Sequence, residues 1–158
     1  MKKDKAHLNL QRFLPYRLTK LSGIISRSLA QRYSDQFDLT IQEWRIVAIL
    51  GERPGLTARE VGELSSLDKV NMSRAIDRLE KAGRLERKVI ARDRRSFALH
   101  LTNKGEEVLQ QIIPLAEDYE ANLLSSFSEA EIEVLDRFLN QLDNSADMLS
   151  PVTKKAAE

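Results

Sequence analysis

The side chains with the most chemistry to offer lie between residues 68 and 95. In Asp68-Lys-Val-Asn-Met-Ser-Arg-Ala-Ile-Asp-Arg-Leu79, the apolar residues Met72, Ile76 and Leu79 fall at helical steps. That leaves Lys69, Val70, Asn71, Ser73, Arg74 and Arg78 on the outer face. Arginine can pair bidentately with guanine and asparagine with adenine, and valine can contact a thymine methyl. Lys69 and Ser73 suit phosphate oxygens. A second group, Arg92-Asp93-Arg94-Arg95, stands between two strand-like pieces. Arginine at a hairpin tip can reach into a minor groove, where negative potential is concentrated. Asp93 would act within the protein, pairing with a neighbouring arginine and fixing the shape of the tip.

Local charge supports a polyanion contact where net charge does not. The chain carries a net +1, yet residues 69–95 hold ten Lys/Arg against four Asp/Glu. Residues 106–147 hold eleven acids against the single base Arg137, and the first 36 residues hold eight bases against two acids. A basic middle beside an acidic end fits a localised contact with nucleic acid.

The elements that must position these groups are legible. Thr40-Ile-Gln-Glu43, Thr57-Ala-Arg-Glu60 and Ser128-Glu-Ala-Glu131 fit the S/T-x-x-E capping box, in which hydroxyl and carboxylate each satisfy an orphan backbone N–H. A first helix is expected from Pro15 to Gln36, with Leu14, Leu18, Leu21, Ile25, Leu29 and Tyr33 on one face. A second follows Thr40, and a third follows Thr57 with Val61 and Leu64 inward. Asp68 caps the fourth, which Gly83 ends. Strands at 84–90, with Leu85 and Val89 on one side, and 96–101, with Phe97, Leu99 and Leu101, flank the basic segment 91–95. Thr102 caps a fifth helix that Pro114 should kink, and Ser128 opens a sixth. Helix, short turn, helix and basic hairpin in that order make a winged helix-turn-helix, whose second helix enters the major groove.

Three segments carry a family resemblance: 68–83 around the fourth helix, Asp93-Arg-Arg95 as a D-x-R wing signature, and Leu101-Thr-Asn-Lys-Gly105 as LTxxG. In order and spacing they resemble the multiple-antibiotic-resistance-regulator (MarR) family over about residues 10–148. The resemblance implies a mostly α fold of six helices with a small β-hairpin wing. It implies an N-terminal dimerisation helix at 10–36, a DNA-binding lobe at 40–101 and C-terminal dimerisation helices at 102–148; the residues themselves suggest a disordered tail at 149–158. It also implies a homodimer on a palindromic double-stranded operator, repressing until a small organic ligand releases it. Thr57 joins the DNA-binding set, and Gly62 fits close helix packing. The family's ligand pocket lies between dimerisation helices and DNA lobe. In this chain that junction would bring Tyr16, Arg17 and Leu21 near Trp44, Ile113 and Pro114. Aromatic walls and one arginine would suit an aromatic carboxylate or its thioester.

Other functions lack their residues. Without cysteine there is no thiol redox sensing and no thiolate zinc site. His7 and His100 alone make metal sensing a poor fit, and no cofactor is implied. There is no phosphate loop and no nucleophile–base motif, and the carboxylates of Glu106, Glu107, Glu129, Glu131 and Glu133 fall on faces expected to be exposed, so an enzyme is a poor fit. A helical interaction module without DNA binding would suit the acidic C-terminal helices but not the basic wing. The basic start Met1–Lys5 is followed by no apolar h-region, since Asn9, Gln11 and Arg12 interrupt it, and there is no long apolar run, so the cytoplasm is the default compartment and no membrane is involved.

Overall fold

The computed structural model describes residues 7–91 and 93–150, with the backbone alone at 93 and 94. Six helices and a three-stranded sheet follow in the order α1 (Leu14–Phe37), α2 (Ile41–Glu52), β1 (Leu56–Thr57), α3 (Ala58–Ser65), α4 (Lys69–Lys81), β2 (Leu85–Ile90), β3 (Asp93–Leu101), α5 (Asn103–Leu123) and α6 (Glu129–Leu149). The chain divides into two units, Met1–Glu117 and Asp118–Glu158.

In the first unit, Tyr33 and Phe37 from the end of α1 join Ile46, Val47 and Leu50 of α2 in one apolar core. Val61, Ala75, Ile76 and Leu79 enter from α3 and α4, Leu85, Leu99 and Leu101 from the sheet, and Val108, Leu109 and Ile112 from α5. The capping boxes at Thr40 and Thr57 both form with their N3 glutamates, Glu43 and Glu60. They satisfy N–H groups that the first helical turn cannot pair internally. In the second unit the third box forms at Ser128 with Glu131, and α6 buries none of its residues fully.

The sheet is antiparallel in the order β1-β3-β2. β1 is an addition to the hairpin expected from the sequence: two residues, Leu56 and Thr57, pair with Leu99 and Ala98. A two-residue strand has no alternation to read. The basic segment also differs. β3 begins at Asp93, so Asp93, Arg94 and Arg95 belong to the strand rather than to a tip between strands. Val89 pairs with Phe97 but Ile90 with Asp93, which leaves residues 94–96 as a bulge on β3.

Leu64, expected inward, is exposed, and so are the strand residues Val89 and Phe97. Leu64 is 48% exposed because the buried side of α3 runs through Val61 and Ser65, four apart, and Leu64 falls on the other flank. Val89 and Phe97 are cross-strand partners on the part of the hairpin that reaches past the core. α5 runs from Asn103 to Leu123 with Pro114 inside it. The expected tail falls mainly on residues 151–158, which lie outside the described residues.

Candidate nucleic-acid interface

α4 is shaped at both ends by its own sequence. The Asp68 carboxylate accepts the N–H of Val70 at 3.0 Å and of Asn71 at 2.9 Å. The Asn71 N–H and side chain, which favour the charged form, hold the Asp68 carboxyl below its ordinary value. At the other end Gly83 turns the chain at φ 69°. There the Gly83 N–H reaches the Glu80 carbonyl and the Arg84 N–H the Leu79 carbonyl, each at 2.9 Å, a Schellman pattern.

That turn is gripped by the start of α5. The Thr102 hydroxyl donates to the Gly83 carbonyl at 2.6 Å and accepts the Gly105 N–H at 3.2 Å. Lys104 donates to the Ala82 carbonyl at 2.8 Å, and the Thr102 N–H to the Arg84 carbonyl at 3.1 Å. A Cβ on Gly105 would stand 2.1 Å from that Arg84 oxygen, so the glycine of the LTxxG segment is demanded by backbone contact. Gly62 is likewise set close to α4: a Cβ there would lie 2.9 Å from the Met72 sulfur.

Lys69, Val70, Asn71, Ser73, Arg74 and Arg78 are all exposed, on the side of α4 away from Ala75, Ile76 and Leu79. Two of them are already engaged. The Asn71 amide donates to Asp68. Arg78 turns back to the protein: its Nε donates to the Glu43 carboxylate at 2.5 Å, and a terminal nitrogen lies 4.0 Å from Asp38. The Thr57 hydroxyl stands apart from this set, bonded to Glu60 at 2.8 Å as the cap of α3.

On the wing, Arg95 is exposed, while Arg92 and the side chains of Asp93 and Arg94 lie outside the described residues. The organising role expected of Asp93 therefore falls outside them too. Not every cation of the basic run faces outward for a partner. Arg87 on β2 binds Glu80 at 2.9 Å and Asp77 at 3.1 Å, both on α4, and Lys88 pairs with Glu86 at 2.9 Å.

Sequence reasoning missed Glu43, Arg84 and Arg87 as parts of this face. Glu43 was legible only as a capping residue. Its second carboxylate oxygen reaches Arg78 across 35 positions, a pairing that no local pattern encodes. Arg84 donates to the carbonyls of Phe37 (2.5 Å) and Asp38 (3.3 Å), tying the end of α1 to the turn after α4.

The four residues expected at a ligand pocket line two separate cavities. Tyr16 and Arg17 line one of about 480 Å³ along α1, with Gln11, Leu14 and Lys20. Trp44 and Ile113 line another of about 430 Å³ between α2 and α5, whose charged lining is Glu52, Glu106 and Glu117. Trp44 also packs on Tyr33, ring centroids 5.5 Å apart, and burial pushes the Tyr33 phenol up to about 12. Among the described residues no group of three or more His, Asp or Glu could hold a metal ion, and no helix is long and apolar enough to cross a membrane.

Known proteins resemble this chain in architecture and in sequence. A sequence model described as MarR family matches residues 37–96. The HTH-type transcriptional regulator PecS of Dickeya dadantii is 30% identical over 129 residues, 80% of this chain and 77% of that protein. The transcriptional repressor MprA of Escherichia coli is 33% identical over 81 residues, 51% of this chain and 46% of that protein. Among solved structures, a MarR/EmrR family transcriptional regulator from Acinetobacter sp. ADP1 superposes with a TM-score of 0.82 at 27% identity, covering 89% of this chain and 99% of that one. MarR itself superposes with a TM-score of 0.68 at 28% identity, over 83% and 98%. These relatives are transcriptional regulators, not enzymes, and the chain belongs to the MarR family of DNA-binding, winged helix-turn-helix transcriptional regulators.

Proposed function

We propose that this regulator is a homodimeric repressor that reads a palindromic operator through α4 and the wing and is released by a small organic ligand. The observation that carries the reading is the outer face of α4, where Lys69, Val70, Asn71, Ser73 and Arg74 are exposed together on a helix whose other side is core. Arg74 and Asn71 are the base readers, with Asn71 exchanging its bond to Asp68 for an adenine edge. Lys69 and Ser73 meet phosphates, Val70 a thymine methyl, and Arg94 and Arg95 the minor groove beside the wing. Repression accords with MprA, whose name describes a repressor.

Dimerisation has its own support. Leu14, Leu18, Leu21 and Ile24 leave an apolar stripe on α1 in the first unit, and Val134, Leu135, Phe138 and Leu139 leave one on α6 in the second. Keeping such surface wet costs about 25 cal/mol per Å². In a dimer, two copies of α4 stand about one helical turn of DNA apart, roughly 34 Å, so a ligand that changes the spacing changes affinity. An aromatic anion would find Tyr16, Arg17 and Lys20 in the α1 cavity; the carboxylate-lined cavity at Trp44 and Ile113 would repel it.

The test replaces Arg94 and Arg95 with alanine and follows binding to an operator duplex across salt concentrations. Affinity should fall for operator and scrambled DNA alike, and the log–log salt slope should become shallower by roughly one or two through lost counterion release. Unchanged slope and affinity would remove the wing from the interface. Asp93→Ala should also weaken binding although it deletes a negative charge; tighter binding would exclude an organising role.

A further inference from the structure

We infer that Glu43 is a positioning residue for DNA recognition and that Arg78, although it stands on the cationic face of α4, serves the protein rather than the DNA. Glu43 is only 2% exposed, and both of its oxygens are committed. One accepts the Thr40 N–H at 3.0 Å and the other the Arg78 Nε. The Arg78 side chain is 57% exposed but that of Glu43 only 3%, so an arginine drawn off to a phosphate or a guanine would leave a buried carboxylate without its cation, which is unfavourable. DNA therefore meets an Arg78 whose Nε is held by Glu43 and one of whose terminal nitrogens lies 4.0 Å from Asp38.

The same stretch of α4 is held from its other neighbour. Arg87 on β2 reaches across to Asp77 and Glu80, which flank Arg78 in the helix. Thus the C-terminal half of α4 is clamped to α2 through Arg78 and to the wing through Arg87, while the N-terminal half carries the outward Lys69, Asn71 and Arg74. The clamps set how α4 is pitched on its lobe, and so which bases its free half can meet.

The inference rests on α4 being the recognition helix, and a double-mutant cycle tests it on the full chain. The probes are a duplex enriched from a randomised library by the unmodified protein and a scrambled duplex of the same composition. Glu43→Gln keeps the capping geometry and removes the charge; Arg78→Met removes the cation at similar length. Each should lower the preference for the enriched over the scrambled duplex by about tenfold, with the salt slope unchanged, and the double variant should lose no more than either single one. A slope made shallower by about one in Arg78→Met, additive losses in the double variant, or unaltered discrimination in Glu43→Gln would each overturn the inference. Circular dichroism establishes folding, and if Arg78→Met does not fold, Arg78→Gln, which also removes the cation, takes its place and is read by the same outcomes. If the unmodified protein enriches no duplex, the recognition-helix reading itself fails, an outcome visible before any variant is made.

Discussion

Replacing Gly105 with alanine should prise open the joint between α4, the wing and α5. The added Cβ would lie 2.1 Å from the Arg84 carbonyl oxygen and 3.0 Å from its carbon. Carbon and carbonyl oxygen normally approach to about 3.3 Å, so the backbones must part by roughly 1 Å. The obstacle is main chain, which has no rotamer to change. Overpacking of this kind costs about 1–3 kcal/mol. Separation also stretches the Thr102 N–H bond to the same Arg84 oxygen, now 3.1 Å, for about 1 kcal/mol more. Against that, alanine favours the helix by up to about 1 kcal/mol over glycine. The net expectation is a loss of about 1–3 kcal/mol, read as a lower urea midpoint at unchanged m-value and fixed protein concentration. Because the joint fixes where α4 ends and β2 begins, DNA affinity should fall even where the variant is fully folded. A loss below about 0.5 kcal/mol, within the usual range for innocuous surface changes, would refute the argument from backbone contact.

Asp68 should make the first turn of α4 acid-sensitive. Its carboxyl is held below the ordinary value, so its stabilisation is present above that value and is lost as pH falls through the lowered one. Protection factors of the Val70 and Asn71 amides, with the intrinsic pH dependence of exchange divided out, should fall on acidification in the wild type and be low at all pH in Asp68→Ala; pH-independent protection in the wild type would contradict the cap. Tyr33 has the opposite sign, since burial raises its phenol from 10.0 to about 12. Its contribution should be full below pH 10 and decline toward pH 12, and Tyr33→Phe should flatten that part of an alkaline stability profile. Removal of residues 128–158 should cause aggregation or unfolding if, as the proposed dimer requires, α6 covers apolar faces between copies; a soluble, folded monomer in sedimentation would count against that dimer.

The helices of this protein were legible because their signals are local. Capping boxes at Thr40, Thr57 and Ser128, an aspartate before α4 and a glycine after it act within four residues, a range over which backbone geometry alone places partner groups. The outward face of α4 followed for the same reason: once Met72, Ile76 and Leu79 turn inward, the helical repeat dictates what turns out. Charge clustering marked the basic region, and the order of elements marked the winged helix-turn-helix.

Tertiary structure decided what those groups are bonded to. From the sequence, Arg78 was one more outward cation; only the packing of α2 on α4 brings Glu43 to its Nε, and only the sheet delivers Arg87 to Asp77 and Glu80. The reason Gly105 must be glycine is a carbonyl 21 positions earlier in the chain, at Arg84. The two-residue β1 exists because β3 offers it an edge, and the bulge at 94–96 because the β2–β3 register shifts beside it. The pocket expected from Tyr16, Arg17, Trp44 and Ile113 resolved into two cavities of unlike charge. Helical periodicity specifies the face a side chain is on. The partner it meets there depends on contacts between residues far apart in the chain, and these are made only when the elements pack.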